Sequence, residues 1–431
     1  QSRKVAAVAA ATAQPTAPYF RLAGGDTAWY DWSNAPPAVR GEPFGGAELT
    51  GRFVLDGTAL WEREVSLRLN DPAHGEVRRP LAVVPRVDVA IEPATAVWPA
   101  GDPAARRFLV TLIHGARDTT TGTVVLELPA GWPAVPAQRF RLTREEASAT
   151  FAFQVRQPGG AAQGALAVRA VARDDAGRRY HAGLLTVDYP HIRPRSLVRP
   201  ALAAIHLAPL ALPAAGRVGY IRGAADRVPE ALAGAGLKVE LLDGVALARG
   251  DLSRFAAVVV GPRAYETEPA LLAANGRLLD YARQGGLVVV QYQQQAYFNG
   301  GYAPFALTVG GPPLLPGGQP VGHDRVTDER APVRLLAPGD PVFRQPNRIG
   351  PADWDGWVQE RGLYFARSWD RAWRPLLETH DPAEAPLEGG LLEARVGRGR
   401  YVYTGLSFFR QLPAGVPGAF RLFANLLALP R

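Results

Sequence analysis

The stretch Leu287-Val288-Val289-Val290-Gln291 decides the fold of the C-terminal half of this chain. It is a short, continuously apolar run, and Ala256-Ala257-Val258-Val259-Val260 is a second one. Between them, helical periodicity extends from Leu271 to Gln284, and Gly285-Gly286 ends it. Near-continuous apolar strands that alternate with helices are typical of a parallel sheet covered on both faces.

The same alternation continues on both sides of these runs. Further strands are predicted at Arg217–Ile221, Val239–Leu242 and Gly399–Thr404, and further helices at Asp226–Ala235 and Gly418–Leu429. Residues 216–431 are therefore predicted to form one α/β domain.

The N-terminal half has the period of half-buried strands. In residues 88–190, apolar and polar residues alternate in six short runs that turn residues separate, as in one immunoglobulin-like β-sandwich. These runs are Val87–Ile91, Arg107–Ile113, Thr123–Leu128, Ala149–Val155, Ala165–Val171 and Leu184–Tyr189. Similar alternation within residues 1–87 predicts a partial β-sandwich module, and the Pro- and Arg-rich residues 191–215 are interpreted as a linker.

The composition indicates a folded protein and excludes several kinds of site. Of the 431 residues, 47% are hydrophobic and 20% are charged, and no apolar run is long enough to predict a membrane span. Without cysteine there is no disulfide, no thiolate metal site and no cysteine nucleophile. The net charge of +8 is spread along the chain among Asp and Glu, so nucleic-acid binding is not predicted. Methionine is absent even from position 1, so we expect a fragment or a processed product.

Polar and aromatic residues follow three of the predicted strands. They are Asp226, Arg263, Tyr265, Gln291 and Tyr292. Because ligands of open α/β sheets bind at the carboxyl ends of the strands, we expect these five residues at one edge. No G-x-G-x-x-G pattern or P-loop accompanies them, so a phosphate-binding loop is not predicted.

The densest titratable cluster contains His323, Arg325 and Glu329. A metal site would need two or three ligands at consistent spacing, and no second histidine lies nearby. The cluster is therefore interpreted either as a salt-bridged loop or as part of a ligand site, and no metal ligand is assigned.

Two C-terminal stretches, residues 353–365 and 401–421, combine aromatic, Arg, Gln and Glu side chains. Their candidate ligand-binding residues are Trp354, Trp357, Gln359, Glu360, Arg361 and Arg410. Such a stretch is either the wall of a site, with the tryptophans as stacking faces, or a structural network in which Glu360 and Arg361 form a buried pair. Residues 408–411 follow the last predicted strand, so we expect their side chains to hold residues 353–365 over the sheet.

The chain resembles the C-terminal region of bacterial fusion proteins of the PIG-L (LmbE-like) deacetylase family. The matching stretches are Val187–Ile192, Gly219–Asp226, Gly261–Tyr265, Arg325–Glu329, Trp357–Phe365 and Thr404–Leu427. The resemblance implies an upstream zinc-dependent N-deacetylase domain, a NEW3-like β-sandwich matched around Leu128–Trp132, and a class I glutamine amidotransferase-like domain over residues 216–431. It also implies an extracytoplasmic location, periplasmic or secreted.

The chain departs from this family in both kinds of catalytic site. The zinc-binding motif of the deacetylase is absent, so zinc is expected only in the upstream domain. The amidotransferase nucleophile is absent as well, because Gln291 and Tyr292 stand where a reactive residue is expected, and an amide cannot take that role. The resemblance therefore implies a domain without catalytic residues.

The sequence thus predicts β-sandwich modules followed by a flavodoxin-like, parallel-sheet α/β domain. The function that the resemblance implies is that of an accessory, non-catalytic region of an extracytoplasmic zinc-dependent N-deacetylase that acts on N-acetylated sugars or glycoconjugates. This region would bind carbohydrate or position the enzyme domain. Its expected partners are the upstream deacetylase domain and a glycan, with no cofactor bound to this chain. Two alternatives stay open: a hydrolase that uses Gln291, His323 and Glu360, and a purely structural scaffold.

Overall fold

The computed structural model describes residues 6, 8–10, 13–18, 20–22, 30–33, 48–73, 75–189, 191–192, 194–214, 216–309 and 324–430. The chain divides into two compact units. The first consists of Gln1–Glu92, Arg107–Val155 and Val168–Ala203, and the second consists of Pro93–Arg106, Arg156–Ala167 and Ala204–Arg431. Most of the regular structure is β-strand, distributed over many sheets.

The first strands of the chain form three antiparallel pairs. The strands are β1 (Arg21–Leu22), β2 (Tyr30–Asp31), β3 (Thr50–Leu55), β4 (Thr58–Glu64), β5 (Ser66–Asp71) and β6 (Gly75–Pro80). β1 pairs with β2, β3 with β4, and β5 with β6. Apolar side chains such as Phe53, Leu55 and Trp61 are exposed on these hairpins. The predicted strands are confirmed here, and their membership of a sandwich module stays a prediction.

Longer strands follow. They are β7 (Val87–Glu92), β8 (Thr95–Pro99), β9 (Arg106–His114), β10 (Thr120–Glu127), β11 (Gln138–Leu142), β12 (Ser148–Val155), β13 (Gly164–Asp174), β14 (Arg179–Tyr180), β15 (Ala182–Val187), β16 (Arg195–Pro200) and β17 (Leu202–Ala208). In the first unit, β9 lies between β7 and β12, and β10 lies between β11 and β13. Alternate residues of β9 and β10 are buried, which is the pattern that the sequence predicted.

The second unit contains the remaining elements. Its strands are β18 (Arg217–Ile221), β19 (Lys238–Leu241), β20 (Phe255–Val260), β21 (Leu287–Gln291), β22 (Leu307–Val309), β23 (Val333–Leu335), β24 (Ala366–Trp369), β25 (Trp373–Pro375), β26 (Leu377–Thr379), β27 (Leu391–Val396) and β28 (Gly399–Thr404). Its helices are α1 (Val228–Ala235), α2 (Gly244–Arg249), α3 (Ala264–Thr267), α4 (Pro269–Arg283), α5 (Gln295–Asn299), α6 (Pro341–Arg344), α7 (Phe408–Ala414) and α8 (Pro417–Leu427). None of the helices in the described ranges is both long and apolar enough to cross a membrane.

A seven-stranded sheet organises this unit in the order β19-β18-β20-β21-β28-β27-β25. The first five strands are parallel, and β27 and β25 extend the sheet antiparallel. One cluster joins Val259, Val289 and Val402 to α1, α7 and α8, and another joins Val258 and Val288 to α4. Alternate residues of each strand thus face opposite helical layers, so the near-continuous apolar runs predicted a parallel sheet correctly.

Residues 191–215 differ from the predicted linker, because they contain β16 and most of them are ordered in strands. β16 pairs with β15, and residues 204–208 of β17 pair in parallel with 95–99 of β8. The high Pro and Arg content led to the linker prediction, although apolar residues recur at alternate positions of Leu202–Ala208 and these positions are buried. The other proposed domain boundaries stay predictions.

Two helical glycines differ in how closely the surrounding protein packs against them. A Cβ at Gly418 in α8 would lie 2.0 Å from the Asp353 carbonyl oxygen, whereas one at Gly276 in α4 would meet nothing within 4 Å. We expect Gly418→Ala to lower the free energy of unfolding by roughly 2 kcal/mol through overpacking. Gly276→Ala should raise it by about 0.5–1 kcal/mol. Urea unfolding followed by circular dichroism measures both, and equal effects of the two variants would contradict the packing described.

Candidate functional site

The carboxyl edge of the parallel sheet is where ligands of such sheets bind, above all where the strand order reverses. Here the order reverses between β18 and β20. The crevice expected there is filled by the chain itself. A Cβ at Gly223 would lie 1.9 Å from the Pro262 carbonyl oxygen, and Ala224 N–H donates to that oxygen at 2.8 Å. The loops after β18 and β20 are therefore in backbone contact.

The buried carboxylate of Asp226 holds this contact together. It accepts hydrogen bonds from the Tyr220 hydroxyl at 2.8 Å, from Gly223 N–H at 3.1 Å and from Val228 N–H at 3.0 Å. A Cβ at Gly261 would lie 2.2 Å from Asp226 Oδ2, so this position admits only glycine without a shift. Burial raises the pKa of Asp226, and the backbone donors oppose the increase.

Gln291, the last residue of β21, points into the same network. Its side chain is 1% exposed, and its Nε2 donates to the Tyr220 hydroxyl at 2.7 Å. Its Oε1 has no hydrogen-bond partner among the described residues. Tyr265 is also buried, and its hydroxyl donates to Asn275 Oδ1 at 2.6 Å. The predicted residues do reach one edge, but these two side chains face the interior.

Three aromatic rings form a row beside this closed crevice. Tyr292 is central: its ring centroid lies 5.4 Å from that of Tyr364 and 5.4 Å from that of Phe409. The Tyr292 ring is buried, while the two flanking rings are half-buried. Gln294 Nε2 donates to the Tyr292 hydroxyl at 2.9 Å. The row thus presents two partly exposed rings with polar groups at their margin.

Two ion pairs accompany the row. Arg263 Nε donates to Glu266 Oε2 at 2.8 Å, and Arg410 Nε donates to Glu360 Oε1 at 2.6 Å. The Arg410 guanidinium lies 4.9 Å from the centroid of the Phe409 ring. We call the three rings and these two pairs, all in the second unit, the carboxyl-edge face.

The electrostatics of the tyrosines place the first ion pair near the row. Burial raises the pKa of Tyr364. The neighbouring Tyr292 and Glu266 raise this pKa further, and Arg263 opposes the increase. Burial likewise raises the pKa of Tyr292. The charge of Arg263 lowers this pKa, whereas the charges of Glu266 and Glu360 raise it. Both acidic partners are therefore within electrostatic range of the central ring.

Backbone strain is concentrated around this edge. Of the seven non-glycine residues with positive φ in the described chain, four lie in the loops after β18 and β20 or in the 353–365 segment. They are Ala225, Arg263, Gln359 and Tyr364, with φ between 48° and 67°. Such conformations are uncommon for residues with a Cβ and cluster at ligand-binding sites.

The 353–365 segment is held over the sheet as the sequence predicted. The Gln411 side chain accepts from Val358 N–H at 2.8 Å and donates to the Val358 carbonyl at 3.0 Å. Ser407 Oγ donates to the Glu360 carbonyl at 2.9 Å. Residues of α7 and its N-cap thus replace a strand partner for this segment.

The tryptophans of the segment are not stacking faces for a ligand. Trp354 and Trp357 are buried, and the Arg361 guanidinium lies 5.8 and 5.4 Å from their ring centroids. Arg361 donates to the carbonyls of Ala331 at 3.0 Å and Trp354 at 2.6 Å. Burial lowers its pKa to about 10, which leaves it charged at neutral pH. The predicted Glu360–Arg361 pair is wrong, because Glu360 pairs with Arg410.

The remaining predicted residues lie apart from these contacts or outside the described chain. Gln359 is exposed. Arg325 Nη1 lies 3.5 Å from Glu384 Oε2, and Glu329 is half-buried. His323 lies outside the described residues. In the described ranges, no group of three or more His, Asp or Glu side chains has the arrangement of a metal site.

The arrangement suits binding better than covalent catalysis. Ser407, in the loop after β28, donates to a backbone carbonyl and accepts from Gln411 Nε2, so among the described residues it contacts no general base. Glu360 is committed to Arg410, and Gln291 is committed to Tyr220. The hydrolase that the sequence left open would need those two groups free to act on a substrate.

Sequence reasoning missed three members of the face: Glu266, Tyr364 and Phe409. Tyr364 and Phe409 stand within the two aromatic stretches, so their place near the predicted residues Arg361 and Arg410 was the available signal. Glu266 lies three residues after Arg263, the spacing of a helical ion pair, and α3 begins between them.

A large cavity of about 510 Å³ lies at the opposite, amino-terminal edge of the sheet. Its lining includes residues just before β20, β21 and β28. Arg277 in this lining donates to the carbonyls of Leu247 and Gly250. Arg277 therefore connects α4 to the end of α2 and is occupied by these contacts. For this reason we place the candidate site at the carboxyl edge of the sheet.

The Gln411 contacts can be tested by removing the amide. Gln411→Leu leaves the Val358 N–H without its partner, while the Val358 carbonyl keeps its hydrogen bond from Glu360 N–H, so we expect the free energy of unfolding to fall by roughly 1–3 kcal/mol. Gln359→Leu, at an exposed position of the same segment, should change it by less than about 0.5 kcal/mol. Urea unfolding measures both. Equal destabilisation by the two variants would show that the amide does not hold the segment.

The raised pKa of Asp226 predicts a pH dependence of known sign. The folded state binds this proton more tightly than the unfolded state, so the contribution of Asp226 to stability is fully present below its unfolded pKa. It is lost as the pH rises through the folded pKa. The stability of the wild type relative to Asp226→Asn should therefore fall as the pH rises through the acidic range.

Asp381 is a control of opposite sign. Burial opposes its ionisation, but the N–H groups of Asp328 and Thr327, the Thr327 hydroxyl and Arg325 together outweigh burial and lower the pKa of Asp381. Its contribution is present above the unfolded pKa and is lost as the pH falls. Thermal unfolding of the wild type, Asp226→Asn and Asp381→Asn between about pH 3 and 7 measures both contributions. If the stability contributions of Asp226 and Asp381 changed with pH in the same direction, the opposite pKa shifts would be contradicted.

Comparison with known proteins leaves the family of the chain open. No family model matches it. No curated protein matches it either. Among solved structures, a complex of zinc 2-glycoprotein and prolactin-inducible protein from human seminal plasma matches 28% of this chain and 93% of its own, with 7% identity and a TM-score of 0.18. WR4, a C. elegans member of the MSP family, matches 28% of this chain and 97% of its own, with 8% identity and a TM-score of 0.16. A family 123 glycoside hydrolase from Clostridium perfringens matches 48% of this chain and 38% of its own, with 10% identity and a TM-score of 0.16.

Proposed function

We propose that this chain is an accessory, non-catalytic region of an extracytoplasmic N-deacetylase of the PIG-L type, and that it binds carbohydrate through the carboxyl-edge face. The proposal rests on the resemblance described above and on the strand order of the second unit. Taking the five parallel strands in sequence order, that order is 2-1-3-4-5, which is the order of flavodoxin-like domains. In this proposal zinc belongs to the upstream deacetylase domain, whose substrate is an N-acetylated sugar or glycoconjugate.

One observation carries the binding part of the proposal: a row of rings stands where a nucleophile would be expected. Tyr292 follows β21 directly, and its ring lies between those of Tyr364, which is tilted against it, and Phe409, which is stacked on it. Half-exposed rings with polar groups at their margin offer an apolar surface and hydrogen-bonding groups together. A sugar ring has the complementary form, with an apolar face bordered by hydroxyl groups.

A purely structural scaffold is the second candidate, and the buried tryptophans favour it. Trp354, Trp357 and Arg361 stabilise the 353–365 segment internally, without a ligand. The two candidates make different predictions for the exposed rings. A scaffold needs no exposed ring, whereas a carbohydrate-binding face loses affinity when one is removed.

A glycan array with the whole chain, followed by calorimetry on its best ligand, tests the proposal. We expect binding without hydrolysis, and an affinity loss of about fivefold in Tyr364→Ala, because stacking contributes about 1 kcal/mol. Trp61→Ala, which removes an exposed ring of the first unit, is the matched control and should bind as the wild type does.

Two results would count against the proposal. Signals no higher than background for every glycan would favour the scaffold. Release of sugar or acetate from a bound glycan by the isolated chain would show a catalytic activity that the proposal denies.

A further inference from the structure

In both ion pairs of the carboxyl-edge face, the glutamate is more deeply buried than its arginine partner. The Arg263 side chain is 42% exposed and its partner Glu266 is 19% exposed. The Arg410 side chain is 37% exposed and its partner Glu360 is 9% exposed. The outer layer of the face is therefore cationic, although each pair is neutral as a whole.

Each pair leaves part of its guanidinium group free to bind. Both arginines use Nε for the hydrogen bond to their glutamate. Within the described residues, the Nη atoms of Arg263 and Arg410 have no hydrogen-bond acceptor. The planar fork of two Nη groups matches the two oxygens of a carboxylate.

The glutamates also orient these forks. A charged hydrogen bond at Nε removes much of the rotational freedom of the guanidinium group, so less entropy is lost when a ligand binds. Arg410 is held further by its contact with the Phe409 ring. The orientation of the cationic groups is thus established before any ligand arrives.

We propose that the carboxyl-edge face binds an acidic sugar, one ring of which carries a carboxylate, with Arg263 and Arg410 contacting the acid group while Tyr364 and Phe409 contact the apolar sugar face. This inference rests on the proposed carbohydrate binding and specifies its ligand class. A neutral sugar would leave the Nη groups to water, whereas a uronic acid would engage both the rings and the cations. Arg263 and Arg410 are specificity-determining residues in this proposal.

Calorimetry with two matched oligosaccharides tests the inference. One alternates N-acetylglucosamine with glucuronic acid, and the other is its carboxyl-reduced form, which differs only in having CH₂OH in place of each carboxylate. We expect the whole chain to bind the acidic form about tenfold more tightly, the effect of one charged hydrogen-bonded pair. The preference should weaken as the salt concentration rises.

Variants separate the role of charge from that of folding. Arg263→Gln and Arg410→Gln should each reduce the preference several-fold without changing affinity for the reduced form. The double variants Arg263→Gln/Glu266→Gln and Arg410→Gln/Glu360→Gln avoid an unpaired glutamate, and they should lose the preference as well. Arg283→Gln is the control, because Arg283 forms an ion pair with Asp280 at the same helical spacing but lies outside the face.

The outcomes distinguish the two proposals. Equal affinity for the acidic and reduced forms, with binding retained, would overturn the acidic-sugar inference and leave carbohydrate binding in place. Loss of preference in Arg283→Gln equal to that in Arg263→Gln would also overturn it, because the effect would then come from net charge. Absence of binding to either form and to all arrayed glycans would overturn the proposed function itself.

Discussion

The hydrogen bonds between the Gln411 amide and the backbone of Val358 are the interaction on which the carboxyl-edge face depends. The 353–365 segment contains no long strand, and its ladder contacts are the isolated bridges of Gly362 to Val326 and Leu406. Buried backbone groups in such a segment need partners from elsewhere. Gln411 provides them for Val358 and for the Glu360 carbonyl, and the Tyr403 hydroxyl donates to the carbonyl of Tyr364.

Close backbone approach determines which part of the edge can bind a ligand. Gly223 and Gly261 let the loops after β18 and β20 touch, and Asp226 connects them. The crevice at the reversal of strand order is consequently occupied by protein. The exposed rings and cations lie instead beside the ends of β21 and β28, where Tyr292 and Phe409 are located.

Much of this edge could be predicted from the sequence, because apolar runs of four or five residues locate strands without knowledge of their partners. The runs at Val258 and Val288 placed Arg263, Gln291 and Tyr292 at one edge correctly. The contact of residues 408–411 with residues 353–365 was predicted because residues 408–411 follow the last predicted strand. The strands within residues 191–215 were missed, since their alternation is short and surrounded by proline.

The fate of individual side chains was less predictable. A tryptophan beside charged residues is compatible both with a binding wall and with a satisfied interior, so Trp354 and Trp357 left both interpretations open. Arg361 follows Glu360 directly, which suggested an ion pair. In the structure, consecutive residues of the segment point in different directions: Arg361 lies among buried rings, and Glu360 faces Arg410.

The sequence by itself determined where the strands of the second unit lie and which residues follow them, because those features depend on local periodicity. The tertiary structure decided which of those residues are exposed and which atoms they contact. Gln291 meets Tyr220 across 71 residues of chain, and Glu360 meets Arg410 across 50. Contacts over such separations depend on the order of strands and on the packing of helices across them, and no local pattern of residues contains that information.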